Sequence, residues 1–151
     1  MLLKEKKEIE AWLNEYRIIN YKLVPNEEYG YVVNVNGDVI LSYKYIDEIK
    51  VKFNEIKGNF LIDNNELNSL EGCPEIVNGD FFCNCNKLTS LKYSPKTVKS
   101  YYDCCFNSLT SLEGCPSIIY NSLNCNFNYL VSLKGCPEII NNNFYCSYNY
   151  L

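Results

Sequence analysis

Nine cysteines and no histidine set the limits of the chemistry this chain can perform. Cys83 with Cys85 and Cys104 with Cys105 would offer four thiolates to a zinc ion from neighbouring stretches of chain. Their spacing is not the C-x(2 to 4)-C of structural zinc sites, so packing is the expected role of these thiols. Asp63, Asp80 and Asp103 are the carboxylates that could do acid or base work. Without histidine, a general base would have to be one of these, or a Cys, Glu or Lys. They show no paired arrangement. No catalytic, cofactor-binding or metal-ligating residue is assigned, and the chain is expected not to be an enzyme.

Positioning explains more than chemistry does, because these residues fall into columns 21 positions apart. Leucine recurs at 67, 88, 109, 130 and 151, again at 70, 91, 112 and 133, and proline recurs at 74, 95, 116 and 137. Asparagine recurs without exception at 65, 86, 107, 128 and 149. Before each asparagine stand Phe60, Phe81, Tyr102, Leu123 and Phe144, then Ile62, Cys83, Cys104, Cys125 and Cys146. Together they spell L-x-L-x-x-N-x-L, with an aromatic in the first slot and cysteine in the second, at a period within the 20 to 29 residues of leucine-rich repeats. The expected fold is a leucine-rich repeat solenoid, a right-handed coil with one parallel sheet on its concave face. The four prolines and the lack of helical periodicity predict an irregular or extended convex side, lined inside by Ile56, Val77, Val98, Ile119 and Ile140. The asparagine is expected to bond backbone groups where the chain leaves the strand.

The chain of 151 residues is 47% hydrophobic with a net charge of −4, enough for one continuous core and without an apolar run long enough to span a bilayer. MLLKEKKEIEAW carries charges where a secretory signal needs its apolar stretch, so a cytoplasmic protein is expected. An odd cysteine count without that signal argues against a disulfide framework. Residues 3 to 18 read as an amphipathic helix with Ile9, Trp12, Leu13 and Tyr16 on one face, expected to cap the first coil. Pro25 and Asn26 to Gly30 mark a turn, so residues 1–30 form cap and linker and 31–151 the array. Asn36-Gly37 alone would signal a hairpin between 31–35 and 39–43. The repeat frame instead places Val39, Leu41, Ile46 and Ile49 in a degenerate first coil at about 35–55, with Tyr31 to Val35 strand under either reading. Gly37 aligns with Gly58, Gly79, Ser100, Asn121 and Asn142, a column that suggests positive φ. Lys50, Glu71, Lys92, Glu113 and Lys134 alternate in sign, predicting a ladder of ion pairs.

Side chains alternate along a strand, so function is expected on the outward positions. There lie Leu61, Phe82, Asp103, Asn124 and Tyr145, beside Asp63, Asn84 and Asn126, and then Phe106, Phe127 and Tyr148. Aromatic groups among Asn, Asp and Ser suit a protein partner. The alternative is an RNA-binding or ribonucleoprotein-binding protein that stacks bases on these rings. Charge weighs against it, with five lysines, no arginine and eight acidic residues from Phe60 onward.

The segment F-x-C-x-x-N-x-L-T-S-L-x-G-C-P, carried with substitutions by Phe81 to Pro95 and again around Leu123 to Pro137, resembles the short leucine-rich repeat proteins of bacteriophages and prophages of low-GC bacteria. The leading helix and the Val-Asn-Gly-Asp-Val stretch are similar to that family too. The resemblance implies target binding: an inhibitor of a host or defence protein, such as an anti-CRISPR, acting in the host cytoplasm with no cofactor and no membrane. Finally, the sequence stops directly after Asn149-x-Leu151, and an uncapped parallel edge there would invite a second copy to form a homodimer.

Overall fold

A repeat of fixed length lets equivalent backbone groups of successive coils meet in register, and their hydrogen bonds build the sheets. The computed structural model describes all residues, Met1 to Leu151. One helix, α1 (Lys6–Glu15), precedes β1 (Tyr21–Asn26) and β2 (Gly30–Val35). Then come short strands in two alternating series: β3 (Val39–Ile40), β4 (Phe53–Ile56), β5 (Phe60–Leu61), β6 (Ile76–Val77), β7 (Phe81–Phe82), β8 (Thr97–Val98) and β9 (Tyr102–Asp103). They continue as β10 (Ile118–Ile119), β11 (Leu123–Asn124), β12 (Ile139–Ile140) and β13 (Phe144–Tyr145). The fold is a β-solenoid of about five turns with two sheets.

The odd-numbered strands from β3 to β13 form a six-stranded parallel sheet. Its rungs include Phe60 N–H donating to Asp80 O at 2.8 Å and Phe81 N–H to Tyr101 O at 2.9 Å. A second sheet, in the order β1-β2-β4-β6-β8-β10-β12, occupies the side expected to be irregular. The column Ile56, Val77, Val98, Ile119 and Ile140 is its registered inner row. Proline does not prevent it, because Pro74 and its equivalents stand two residues ahead of each strand and leave the ladder's N–H groups intact. So two sheets enclose the core, rather than one sheet and a loose back.

The repeat frame also decides the start of the array. β2 pairs in parallel with β4, and β3 with β5, so 31–35 and 39–43 belong to different sheets and do not form a hairpin. β2 instead pairs antiparallel with β1. Residues 21–26 are therefore strand where a linker was expected; Pro25 is tolerated because β1 is an edge strand. The helix is shorter than the predicted 3 to 18, since Leu3 N–H is drawn to Lys50 O at 2.7 Å. It buries Ile9, Trp12 and Leu13. Trp12 meets Phe53 edge-on at 6.3 Å, and from there Phe60, Phe81 and Tyr102 continue an unbroken line of aromatic contacts through the core.

Two expected columns resolve differently. Among 37, 58, 79, 100, 121 and 142, only Gly37 has positive φ. Gly58 and Gly79 are small because the side chains of Asp38 and Asn59 lie against them. Of the charge ladder, only Lys134 with Glu113 forms a pair, at 3.0 Å, while Lys50 turns to Glu48 and Lys92 lies over the Tyr93 ring. The other positive-φ glycines are Gly30, Gly72, Gly114 and Gly135. At Gly114 φ is 98°, and a Cβ would stand 2.5 Å from Leu91 O of the preceding coil. Gly114→Ala is expected to cost roughly 2 to 3 kcal/mol, combining backbone strain with that overlap, and to lower the melting temperature by roughly 5 to 10 °C in a thermal scan.

Candidate partner-binding surface

The bend after each strand of the six-stranded sheet is set by the asparagine column. Asn107 Nδ2 donates to the carbonyls of Cys83, Cys104 and Cys105 at 3.0, 3.2 and 3.3 Å, and its Oδ1 accepts from Leu88 N–H at 3.0 Å. Asn65, Asn86, Asn128 and Asn149 repeat the arrangement. Two successive carbonyls gather onto each amide where the chain curls, and the residue before each asparagine, like Tyr43 before Lys44 in the first coil, lies in the left-handed region. Tyr43, Asn64, Cys85, Phe106, Phe127 and Tyr148 all have φ between 50° and 56°. Asn64 adopts this cheaply; for the others it costs about 1 to 2 kcal/mol each.

That bend throws three rings outward in one row. Phe106 stacks on Phe127 at 4.3 Å and Phe127 on Tyr148 at 4.2 Å, within 10° of parallel. Tyr129 and Tyr150, on the other side of the asparagines, form a second row at 6.0 Å. A trough of about 510 Å³ runs between the rows, lined also by Asn107, Asn128 and Asn149. All five rings are exposed to solvent. Within the first row the rings cover one another's faces, leaving edges and two end faces free.

The outer face of the six-stranded sheet lies beside this trough. Leu61 and Phe82 are half-buried on it and Tyr145 is exposed. Asp103 accepts from Cys105 N–H at 2.9 Å and from Asn124 Nδ2 at 3.1 Å, and Asn124 in turn accepts from Asn126 N–H at 3.1 Å. Asp63 holds Ser42 Oγ and Asn64 Nδ2. Asn126 Oδ1 accepts from Ser147 N–H at 2.7 Å, while Asn84 Oδ1 is buried without a partner. Tyr101, packed edge-on against Phe82 at 5.8 Å, has its hydroxyl pKa pushed up to about 12, by burial first and then by the Asp103 charge. The expected binding residues thus split in two: Phe106, Phe127 and Tyr148 in the ring row, and Leu61, Asp63, Phe82, Asn84, Asp103, Asn124, Asn126 and Tyr145 on the sheet face. Tyr129, Tyr150 and Tyr101 join them without having been chosen. Their signal was available, since Tyr129 and Tyr150 occupy one column directly after the asparagine.

The thiols of the core cluster face the other way. Cys73, Cys83, Cys104 and Cys125 are buried, and burial pushes their pKa values up, that of Cys125 to about 12. At neutral pH they are protonated and poor nucleophiles. No group of three or more Cys, Asp or Glu is placed to hold a metal ion, and no helix is long and apolar enough to cross a membrane. No family model matches this sequence, and no curated protein or solved structure matches it either.

Proposed function

We propose that this chain is a non-enzymatic binding module for a protein partner, engaged through the aromatic trough and the adjoining face of the six-stranded sheet. In its more specific form, the solenoid is a leucine-rich repeat array, α1 caps its first coil through the Trp12 contact with Phe53, and the partner is a host or defence protein that binding inhibits. The repeat motif and its resemblance to phage-encoded proteins support that form.

One observation carries the reading. Phe106, Phe127 and Tyr148 hold rings on a left-handed backbone where asparagine or glycine would serve the fold better. Two stacked pairs contribute about 0.5 to 1.5 kcal/mol each, less than three left-handed aromatic residues cost. Strained, exposed and mutually aligned side chains are what a recognition surface retains. A protein fits better than a nucleic acid, because the row's ring faces are mostly consumed by one another and bases need faces to stack on.

The test uses Phe106→Asn with Phe127→Asn, which keeps the bend and removes the rings. Affinity for a protein captured from bacterial lysate by the parent chain is expected to fall about 100-fold, as for two interface anchors, while unfolding free energy changes by only about 1 kcal/mol. Equal capture by parent and variant overturns the assignment of this surface. Retention of nuclease-sensitive material by both would point to nucleic acid.

A further inference from the structure

The charges on this surface name the kind of partner. In the segments that form the six-stranded sheet and the bends beside it, residues 38–43, 59–64, 80–85, 101–106, 122–127 and 143–148, the only ionic side chains are Asp38, Asp63, Asp80 and Asp103. Asp38 shares a cleft with Arg17 and Lys44. The other three take part in none of the seven ion pairs of the molecule. Lys87, directly after the asparagine of the Asp80 coil, is engaged by Glu66.

The backbone bonds made by Asp80 and Asp103 do not require their charge. Asp80 accepts from Tyr101 N–H at 3.0 Å, and one coil earlier Asn59 makes the same bond to Asp80 N–H at 2.8 Å. Asp103 accepts from the N–H two residues on, and one coil later Asn124 does the same. A neutral amide fills these backbone-accepting roles of Asp80 and Asp103 one coil away, so there the carboxylate adds charge, while Asp63 accepts from Ser42 Oγ and Asn64 Nδ2. They sit on the middle coils, and the stacked rings begin with Phe106, just beyond Asp103.

Resting on the protein-binding reading, we infer that the partner presents a basic, extended segment that runs along the solenoid axis. Its lysine or arginine side chains lie over Asp63, Asp80 and Asp103, and its apolar side chains follow in the aromatic trough. Ring edges carry slight positive charge, so the trough takes apolar groups and backbone carbonyls and leaves the cations to the carboxylates. From the Asp63 coil to the Tyr148 coil is four steps of about 4.8 Å, which an extended peptide covers in roughly six residues.

Fluorescence polarisation with four labelled nonapeptides on the full chain tests this: basic then apolar, acidic then apolar, neutral then apolar, and basic then serine. The first is expected to bind tightest, more weakly as salt rises. The triple variant Asp63→Asn, Asp80→Asn, Asp103→Asn should lose roughly tenfold in affinity for it with an unchanged melting curve, and Phe127→Asn should weaken it independently. If the acidic or neutral peptide binds as well as the basic one and Phe127→Asn still abolishes binding, the basic partner is overturned while the binding module stands. Binding of a single-stranded oligonucleotide and of no peptide overturns both, and so does a failure of any probe to bind at millimolar concentration.

Discussion

Replacing Asn107 by leucine is expected to lower the unfolding free energy by roughly 4 kcal/mol, the sum of an orphaned buried N–H at Leu88 and three lost amide bonds. The loss is large because the asparagines are coupled. Cys83 O receives Asn86 at 3.2 Å and Asn107 at 3.0 Å, and Cys104 O receives Asn107 at 3.2 Å and Asn128 at 3.1 Å. Amide and carbonyl alternate from coil to coil, and one substitution interrupts the row in the middle of the core. Asn107 is buried, so water cannot take its place, whereas Asn149 is half-exposed and can be replaced by solvent. Urea unfolding followed by circular dichroism should therefore show Asn149→Leu losing about half as much. Equal losses, or a loss at Asn107 under about 1 kcal/mol, would mean that the row does not act as a unit.

Raising the pH should unfold this protein abruptly, and the thiols are the cause. Burial pushes the pKa values of Cys73, Cys83, Cys104, Cys105, Cys115 and Cys125 upward in the folded chain, with the Lys52 charge opposing it at Cys73. In the unfolded chain a thiol releases its proton near pH 8.5. Above that pH the unfolded state binds fewer protons than the folded state, so stability is fully present below about pH 8.5 and falls as pH rises. Each thiol contributes a slope of up to about 1.4 kcal/mol per pH unit. Six together remove up to roughly 8 kcal/mol per unit, comparable with the whole stability of a domain of this size within one or two units. Tyr102, buried and raised in the same way, adds to the slope once the pH passes about 10. Urea midpoints measured under reductant between pH 8 and 10.5 check this. In the double variant Cys83→Ala, Cys104→Ala the slope should be about two thirds that of the parent, whatever its starting stability. An unchanged slope would assign the alkaline transition to other groups.

The features legible in the sequence were those that a column displays. Asn65 to Asn149 and Cys83 to Cys146 announced inward, backbone-serving and core-filling positions, because no surface position would repeat one residue type so strictly. The inner row Ile56 to Ile140 was visible as an apolar column. Its sheet was not, since two-residue strands between prolines and glycines carry no alternation to read. Residues 21–26 were missed because Pro25 and Lys22 are poor strand signals and only pairing with β2 makes them strand. The left-handed bend was hidden for a different reason. Asn64 is the single residue in its column that suggests positive φ, and the aromatic residues after it disguise the conformation they share. The stacking of Phe106, Phe127 and Tyr148 follows from that bend, so it could not be read before the bend was known. The charged ladder failed in the opposite sense: the column was real, but long lysine side chains found nearer partners than the coil above.

Every asparagine reaches backwards along the chain. Asn86 donates to Ile62 O, and it accepts from Leu67 N–H, both in the coil made before it. The N–H groups of the six-stranded sheet do the reverse and wait for the coil made after, as Val39 N–H waits for Asn59 O, while the second sheet reaches back, as Asn78 N–H does to Ile56 O. The six-stranded face of a coil leaving the ribosome therefore lacks its acceptors until the next 21 residues have been translated, roughly one to four seconds at ordinary elongation rates. On that face synthesis and folding then proceed in step, one coil apart, each strand paired by its successor.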